Sequence, residues 1–408
     1  MGKKMKGFRI NASVLASTSI VLFSILYLLP ITILIPEIIR KPLLILGLLL
    51  FVLALFFLKD IKYLLLYFFL LIYLCAYFFC SWAALLRFKS FMFPAFISIE
   101  FLICSFLIID KKIIIPSKVI WLILLCALIT SITSIIGLRL FPTAIRSLGQ
   151  SSTDENMPIH RMYRQYNIAG WGLLFGIAYL EGGIVYLFKE KKKIVFIFLI
   201  ICYTLCVLMS QLAFAIILAS FLIFIVLINN KGVRFYICLL FFSFIIAFLW
   251  IDKETILNLL YDKATEHNLT ILQLRVRNLQ DLLVNSNTEG DAGARFELYL
   301  KSWDSFVDHP FSLLFAMDLP FEEILGFHSE FFDLLGALGI FGLLGIFLLI
   351  ISFNKRIKKI NDSYSRRFYA VMVCSFILLG VINPILSHPH IWLSSLLVPS
   401  AIIRNNWK

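Results

Sequence analysis

The chain has 408 residues, 61% of them hydrophobic and only 15% charged, where soluble domains carry about 25% charged residues. Its mean hydropathy is +0.95, and its apolar residues come in blocks long enough to cross a bilayer, which takes about 20 residues per helix. This excludes a soluble enzyme, and the net charge of +13 is accounted for by membrane topology without any nucleic-acid partner.

The chain opens on the basic stretch MGKKMKGFR, followed by an apolar run from about Val14 to Ile35. That run is too long for a signal-peptide core and lacks a small-residue cleavage pattern, so it is read as the first span. Gly2 does not meet the myristoylation pattern, because Lys6 stands where Ser or Thr is needed. Twelve apolar segments follow in order, at about 12–35, 42–58, 63–86, 91–109, 119–140, 167–188, 194–209, 212–228, 233–250, 330–353, 368–386 and 390–403. The division at Ser210-Gln211 is the least marked. Glu100 and Glu181 stand inside apolar runs, where an ionised carboxylate is costly unless paired or hydrated. The eight cysteines all fall within apolar runs, which fits small apolar fillers better than a disulfide framework; no metal site is expected.

With the N-terminus inside, the inner connections carry 23 of the 37 Lys and Arg residues, so the positive-inside rule places both termini in the cytoplasm. The chain then divides into residues 1–250, with nine spans and an outer loop near 141–166; residues 251–326, a large extracytoplasmic loop; and residues 327–408, with three spans. No inverted repeat or matched pair of broken helices is visible, which argues against a transporter.

The outer segment 141–166 ends in HRMYRQY. Arg161 and Arg164 lie three apart there, with Arg139 and Arg146 nearby, against the inward bias of positive charge. Single arginines at such a place bind lipid headgroups, but four together suit an anion, because the planar guanidinium forks onto phosphate with two hydrogen bonds. The large loop holds thirteen acidic and six basic residues and has helical periodicity. TILQLRVRNLQDLL aligns Leu272, Val276, Leu279 and Leu283. DAGARFELYLKSWDSFVDHP aligns Phe296, Leu300, Trp303 and Val307 as an apolar stripe, expected to pack in the loop's own core. Arg295, Tyr299 and Ser302 form the neighbouring polar stripe, facing elsewhere. Asp291 suits the N-cap and Pro310 the end of that helix.

The stretch GFHSEFFDLLGALGIFGLLGIFLLI begins at Gly326. Gly326 permits a turn, and Ser329 can cap a helix starting near Glu330. Glu330 and Asp333 suit its positive N-terminal end. His328 precedes the cap at the outer edge of the bilayer, where it can be neutral at pH 7 and accept a proton as a general base; interfacial packing is the plainer alternative.

ARFELYLKSWDSFVDHP followed by LGFHSEFFDLLGALGIFGLLGIF resembles the bacterial O-antigen polymerase and O-antigen ligase superfamily, as do the twelve-span layout and the large late outer loop. The resemblance implies an all-α polytopic membrane protein, about twelve transmembrane helices of GT-C-like type, in the bacterial cytoplasmic membrane with its active site on the outer face. It implies a metal-independent glycosyltransferase without cofactors, using a glycan carried on undecaprenyl diphosphate as donor. By motif position, His328 would be the catalytic base and Arg295 a diphosphate clamp. Arg161 or Arg164 would match an upstream arginine, with Arg146 a further diphosphate ligand and Glu330, Asp333 and Tyr299 supporting residues. Two departures stand out: Gln211 sits where the family often has an Arg after Ser, and FSLLFAMDLP replaces a Gly-rich turn. The expected function is polymerisation of O-antigen or capsule repeat units, the alternatives being a ligase acting on lipid A-core and a lipid-linked glycan flippase. Partners expected are undecaprenyl-diphosphate-linked glycans, membrane lipids and a chain-length regulator.

Overall fold

The computed structural model describes residues 2–80, 85–149, 157–228, 253–267, 291–312 and 325–404, with a few positions between 273 and 280. The regular structure among them is helical throughout. In chain order the helices are α1 (Gly2–Leu28), α2 (Glu37–Leu58), α3 (Ile61–Cys80), α4 (Leu85–Ile109), α5 (Ser117–Leu140), α6 (Ala144–Gly149), α7 (Met157–Gln165), α8 (Trp171–Lys191), α9 (Ile194–Met209) and α10 (Ala213–Leu227). They continue with α11 (Lys253–Glu266), α12 (Asp291–Asp308), α13 (Glu330–Leu338), α14 (Ile340–Lys358) and α15 (Ser363–Ile382). The last, α16, joins Pro389–Trp392, a π-helical turn Leu393–Leu397 and Val398–Arg404.

Eight of these helices are long and apolar enough to cross a membrane, and α9 and α10 are shorter apolar helices. The protein is therefore an all-α polytopic membrane protein. Several boundaries differ from the sequence reading. The first span stops at Leu28 and passes into a 3-10 turn, Pro30–Leu34, because Pro30 has no N–H to continue the helical ladder. The division after Met209 is real: Gln211 adopts a left-handed φ of 52° and the chain reverses between α9 and α10. The expected ninth span, 233–250, lies outside the described residues, as does most of the helix expected from TILQLRVRNLQDLL, of which Val276 is buried.

The expected tenth span, 330–353, is two helices. Gly339 breaks it with φ 57° and ψ −134°. A side chain there would be strained, and its Cβ would stand 2.3 Å from the Pro310 carbonyl oxygen. The Ile340 N–H, freed from α13, donates to that same oxygen at 2.8 Å. The end of α12 thus occupies the break, and α13 belongs with α12 instead of continuing the span.

At the centre of the bundle is α8, with every residue from Gly172 to Leu187 buried, packed against α9, α10 and α16. At the periphery is α14, where Gly342 and Phe353 are the buried positions and Phe341, Leu344 and Phe347 are exposed, as for a lipid-facing helix. The two intramembrane carboxylates each have a hydroxyl partner: Ser19 donates to Glu100 and Thr204 donates to Glu181. That answers part of their desolvation cost within the bundle. At one end, Asp110 gathers Lys359, Tyr63 and Arg356 (3.3 Å), and the Arg356 guanidinium lies 3.6 Å from the Phe106 ring centroid. This cluster ties the ends of α3, α4 and α14 together.

Candidate active site

The GFHSEFFD segment folds as a buried clamp carrying one exposed side chain. Ser329 caps α13, its hydroxyl accepting from the Phe332 N–H at 3.3 Å. Asp333, one turn in, reaches back to the segment before the cap. Its carboxylate accepts from the Phe327 N–H at 3.1 Å, the Ser329 N–H at 3.3 Å and the Ser302 hydroxyl at 2.6 Å. Ser302 in turn accepts from the Gly326 N–H at 2.9 Å. One carboxylate and one hydroxyl thus satisfy the N–H donors of Gly326, Phe327 and Ser329 in a turn that has no ladder of its own.

That turn is strained. Phe327 has φ 55°, a region that costs a non-glycine residue about 1–3 kcal/mol unless its surroundings hold it. Gly326 has no left-handed φ; its role is close approach, since a Cβ would stand 2.0 Å from the Leu298 carbonyl oxygen of α12. Helix α12 is pressed onto the turn at this point. Ser305 donates to the Gly336 carbonyl at 3.2 Å, extending the seam between α12 and α13.

Glu330 serves a second turn. Its Oε2 accepts from the N–H groups of Ile385 (3.1 Å) and Leu386 (2.8 Å), in the connection between α15 and α16. The same connection is held by Tyr299, which donates to the Ile382 carbonyl at 2.7 Å and stacks on Phe332, and by the Trp392 indole, which donates to Ile385. Both carboxylates are buried. Burial raises Glu330 to about 7, opposed by the Leu386 N–H and reinforced by the charge of Asp333. Burial likewise raises Asp333 to about 6, opposed by its three donors. The two residues expected to suit the helix dipole are the pins of two turns.

His328 is exposed. Its Nδ1 lies 3.0 Å from the Phe327 carbonyl oxygen. A carbonyl only accepts, so Nδ1 carries the proton in the neutral ring and Nε2 keeps the free lone pair. The site therefore presents an exposed imidazole, with Nε2 free of protein partners among the described residues, on a turn whose backbone is fixed by buried groups.

The arginines separate. Arg295 lies in the first turn of α12, on the face that includes Tyr299 and Ser302, and its side chain is outside the described residues. Arg146 and Arg161 are exposed. Arg164 is half-buried at the end of α7, with Nη1 3.5 Å from the Ile168 carbonyl oxygen. Burial and the neighbouring charge of Arg40 lower it to about 10, so it stays charged at neutral pH. No carboxylate pairs with Arg164 among the described residues.

The sequence reading passed over NPILSHPH as a short outer loop. In the fold it is the connection Glu330 holds, and it brings His388 and His390 to the start of α8, where the His388 ring lies 4.3 Å from Trp171 and 5.4 Å from His390. Burial lowers His388 to about 4, so it is neutral at pH 7. Four polar residues and two prolines within eight positions, separating two apolar runs, were the available signal.

One further expectation is corrected. Among the described residues no loop core covers the stripe Phe296, Leu300, Trp303 and Val307, which are 55%, 42%, 43% and 58% exposed. The buried face of α12 includes Ser302 and Ser305, whose hydroxyls donate to the Asp333 carboxylate and the Gly336 carbonyl that α13 presents.

Residues 195–347 match the family model described as O-antigen ligase. That stretch runs from α9 into α14 and contains α12, the His328 turn and α13 whole. This match supports a place in the O-antigen ligase and polymerase superfamily. That family is a class of glycosyltransferase-like membrane enzymes, and the Gly326–Asp333 segment lies within the matched stretch, while the connection that Glu330 holds lies beyond it. No curated protein and no solved structure matches the chain.

Proposed function

We propose that this superfamily member is a polymerase that joins oligosaccharide repeat units carried on undecaprenyl diphosphate, at the outer face of the bacterial cytoplasmic membrane. A sugar hydroxyl of the acceptor unit attacks the anomeric carbon of the donor glycan. The bond from that carbon to the phosphate oxygen breaks, and undecaprenyl diphosphate leaves with the electron pair. Nε2 of His328 takes the hydroxyl proton. Arg295 and Arg164 hold the diphosphate as charge builds on it; Arg146 and Arg161, being exposed, serve its approach.

The observation that carries this reading is the pairing of an exposed histidine with a buried, fully bonded support. Asp333, Ser302 and Ser329 fix the turn to a rigid helix end, and α12, which carries Arg295, is pressed against it. Preorganised geometry of this kind is what a general base needs to act at low reorganisation cost. Arg164 supports the donor assignment, since a half-buried cation without an acidic partner among the described residues suits an anionic ligand.

The description of the matching family favours a second reading, a ligase that transfers finished glycan to lipid A-core. A surface-glycan gel from a deletion strain, with and without the gene restored, separates the two. A single repeat unit on the core after deletion is the expected result. Bare core with accumulating lipid-linked polymer establishes the ligase, and unchanged full-length glycan overturns both for that glycan. Accumulation of undecaprenyl-linked units on the inner leaflet would instead identify a flippase.

A further inference from the structure

Helix α12 has three faces. Tyr299, Ser302 and Ser305 pack towards α13 and the α15–α16 connection through the hydrogen bonds given above. Phe296, Leu300, Trp303 and Val307 recur at i, i+4, i+7 and i+11, and at 100° per residue they form one line of exposed apolar side chains. Glu297, Asp304 and Asp308 recur one position later along the same rows and form an exposed acidic line beside it. In water, leaving four large apolar side chains uncovered forgoes the favourable transfer of each out of solvent. Proteins rarely leave such a line exposed without a partner.

The partner is identified by what the line runs into. Phe311, just past the end of α12, is 69% exposed. Pro310 beside it accepts from Ile340, the first residue of α14. Ile340, Phe341, Leu343 and Leu344 are all exposed, on a helix long and apolar enough to span a bilayer. The apolar line of α12 therefore continues into the lipid-facing surface of α14 at the Pro310–Ile340 contact.

We propose that α12 is an interfacial helix whose Phe296–Leu300–Trp303–Val307 face lies among the acyl chains of the adjoining leaflet, with Glu297, Asp304 and Asp308 turned to water. An amphipathic helix lying in the interface has this division of faces. Its polar line is acidic, so attraction to anionic headgroups is not the driving force; buried apolar area is. The inference rests on membrane embedding and on the packing of α12, and it stands whether the enzyme is a polymerase or a ligase.

The test uses the full chain reconstituted in phosphatidylcholine bilayers, with or without bromine on the acyl chains. The emission of Trp303 is taken as the difference between the wild type and Trp303→Phe. Bromine should at least halve that difference signal, while aqueous iodide leaves it unchanged. Adding Asp304→Trp to the Trp303→Phe background moves the probe to the acidic line, and that signal should respond to iodide and not to bromine. Adding Phe296→Trp instead keeps the probe on the apolar line two turns earlier and guards against a local effect at 303. Iodide quenching of Trp303 without bromine quenching would put the face in water and overturn the proposal. Protection from both quenchers would mean that protein covers it, either the chain's own loop or a partner, and would also overturn it.

Discussion

Glu330→Ala is the sharpest test of the clamp. Truncation removes Oε2 and leaves the Ile385 and Leu386 N–H groups, now at 3.1 and 2.8 Å from their acceptor, buried without a partner. Each such loss costs about 1–3 kcal/mol. Because burial lifts Glu330 to about 7, the acceptor is about half protonated at neutral pH and largely uncharged below it, which favours the lower half of the summed range, about 2–4 kcal/mol. Glu330→Gln is the isostere of the protonated form: its amide oxygen accepts both N–H groups, so it should cost at most about 1 kcal/mol. The sign of the pH dependence follows. A carboxyl whose value rises from 4.5 to about 7 on folding binds its proton more tightly in the folded state. Its contribution is fully present below about pH 4.5 and is lost as pH rises through about 7. Thermal unfolding of the purified protein in detergent, followed by loss of the monodisperse species, should rank wild type and Gln together and Ala well below. The wild type should lose stability across that pH window more steeply than the Gln variant. Glycan ladders from complemented cells should rank the variants the same way. Equal behaviour of Ala and Gln in both assays, or an Ala variant matching the wild type, would refute the pinning role.

Three further outcomes are expected. His328→Ala should abolish polymer while protein level and membrane insertion stay normal, because the exposed ring contributes a proton acceptor and little packing; near-wild-type ladders would remove His328 as the base. Arg295→Lys should be severely impaired at normal protein level, since Lys cannot make the bidentate contact with a diphosphate, and full activity would make Arg295 structural. Gly326→Ala should lose activity although residue 326 touches no substrate, because the added carbon meets the Leu298 carbonyl oxygen at 2.0 Å and α12 must shift. Immunoblotting of membranes alongside the ladder would show whether that loss is local.

The membrane class was legible because hydrocarbon thickness imposes block length on the sequence, and helix existence followed from it. The Ser329 cap, the Pro310 stop and the polar face of α12 were legible too, since each depends on residues within a few positions. What escaped was non-local. The break at Gly339 is set by the Pro310 carbonyl, 29 positions earlier, so GALGIFG reads as unbroken apolar helix. The outward aim of the Phe296 stripe depends on what α13 offers to α12, and periodicity gives the angle between two faces without saying which one is covered. Glu330 was assigned to the helix dipole because its true partners, Ile385 and Leu386, are two helices away. The histidines of SHPH gained meaning only once that connection was seen against Trp171.

The Glu330 bridge also sets an order of assembly. A ribosome makes residues 326–333 well before residues 383–392, so the histidine turn leaves the ribosome with Asp333 and Ser302 already present but with Glu330 lacking its two N–H donors. The connection between α15 and α16 can reach Glu330 only after both of those helices are in the bilayer. The site is therefore finished by a stretch of chain synthesised two helices after the turn itself. A nascent protein arrested after α14 would carry every residue of the GFHSEFFD segment and still hold it on one pin instead of two.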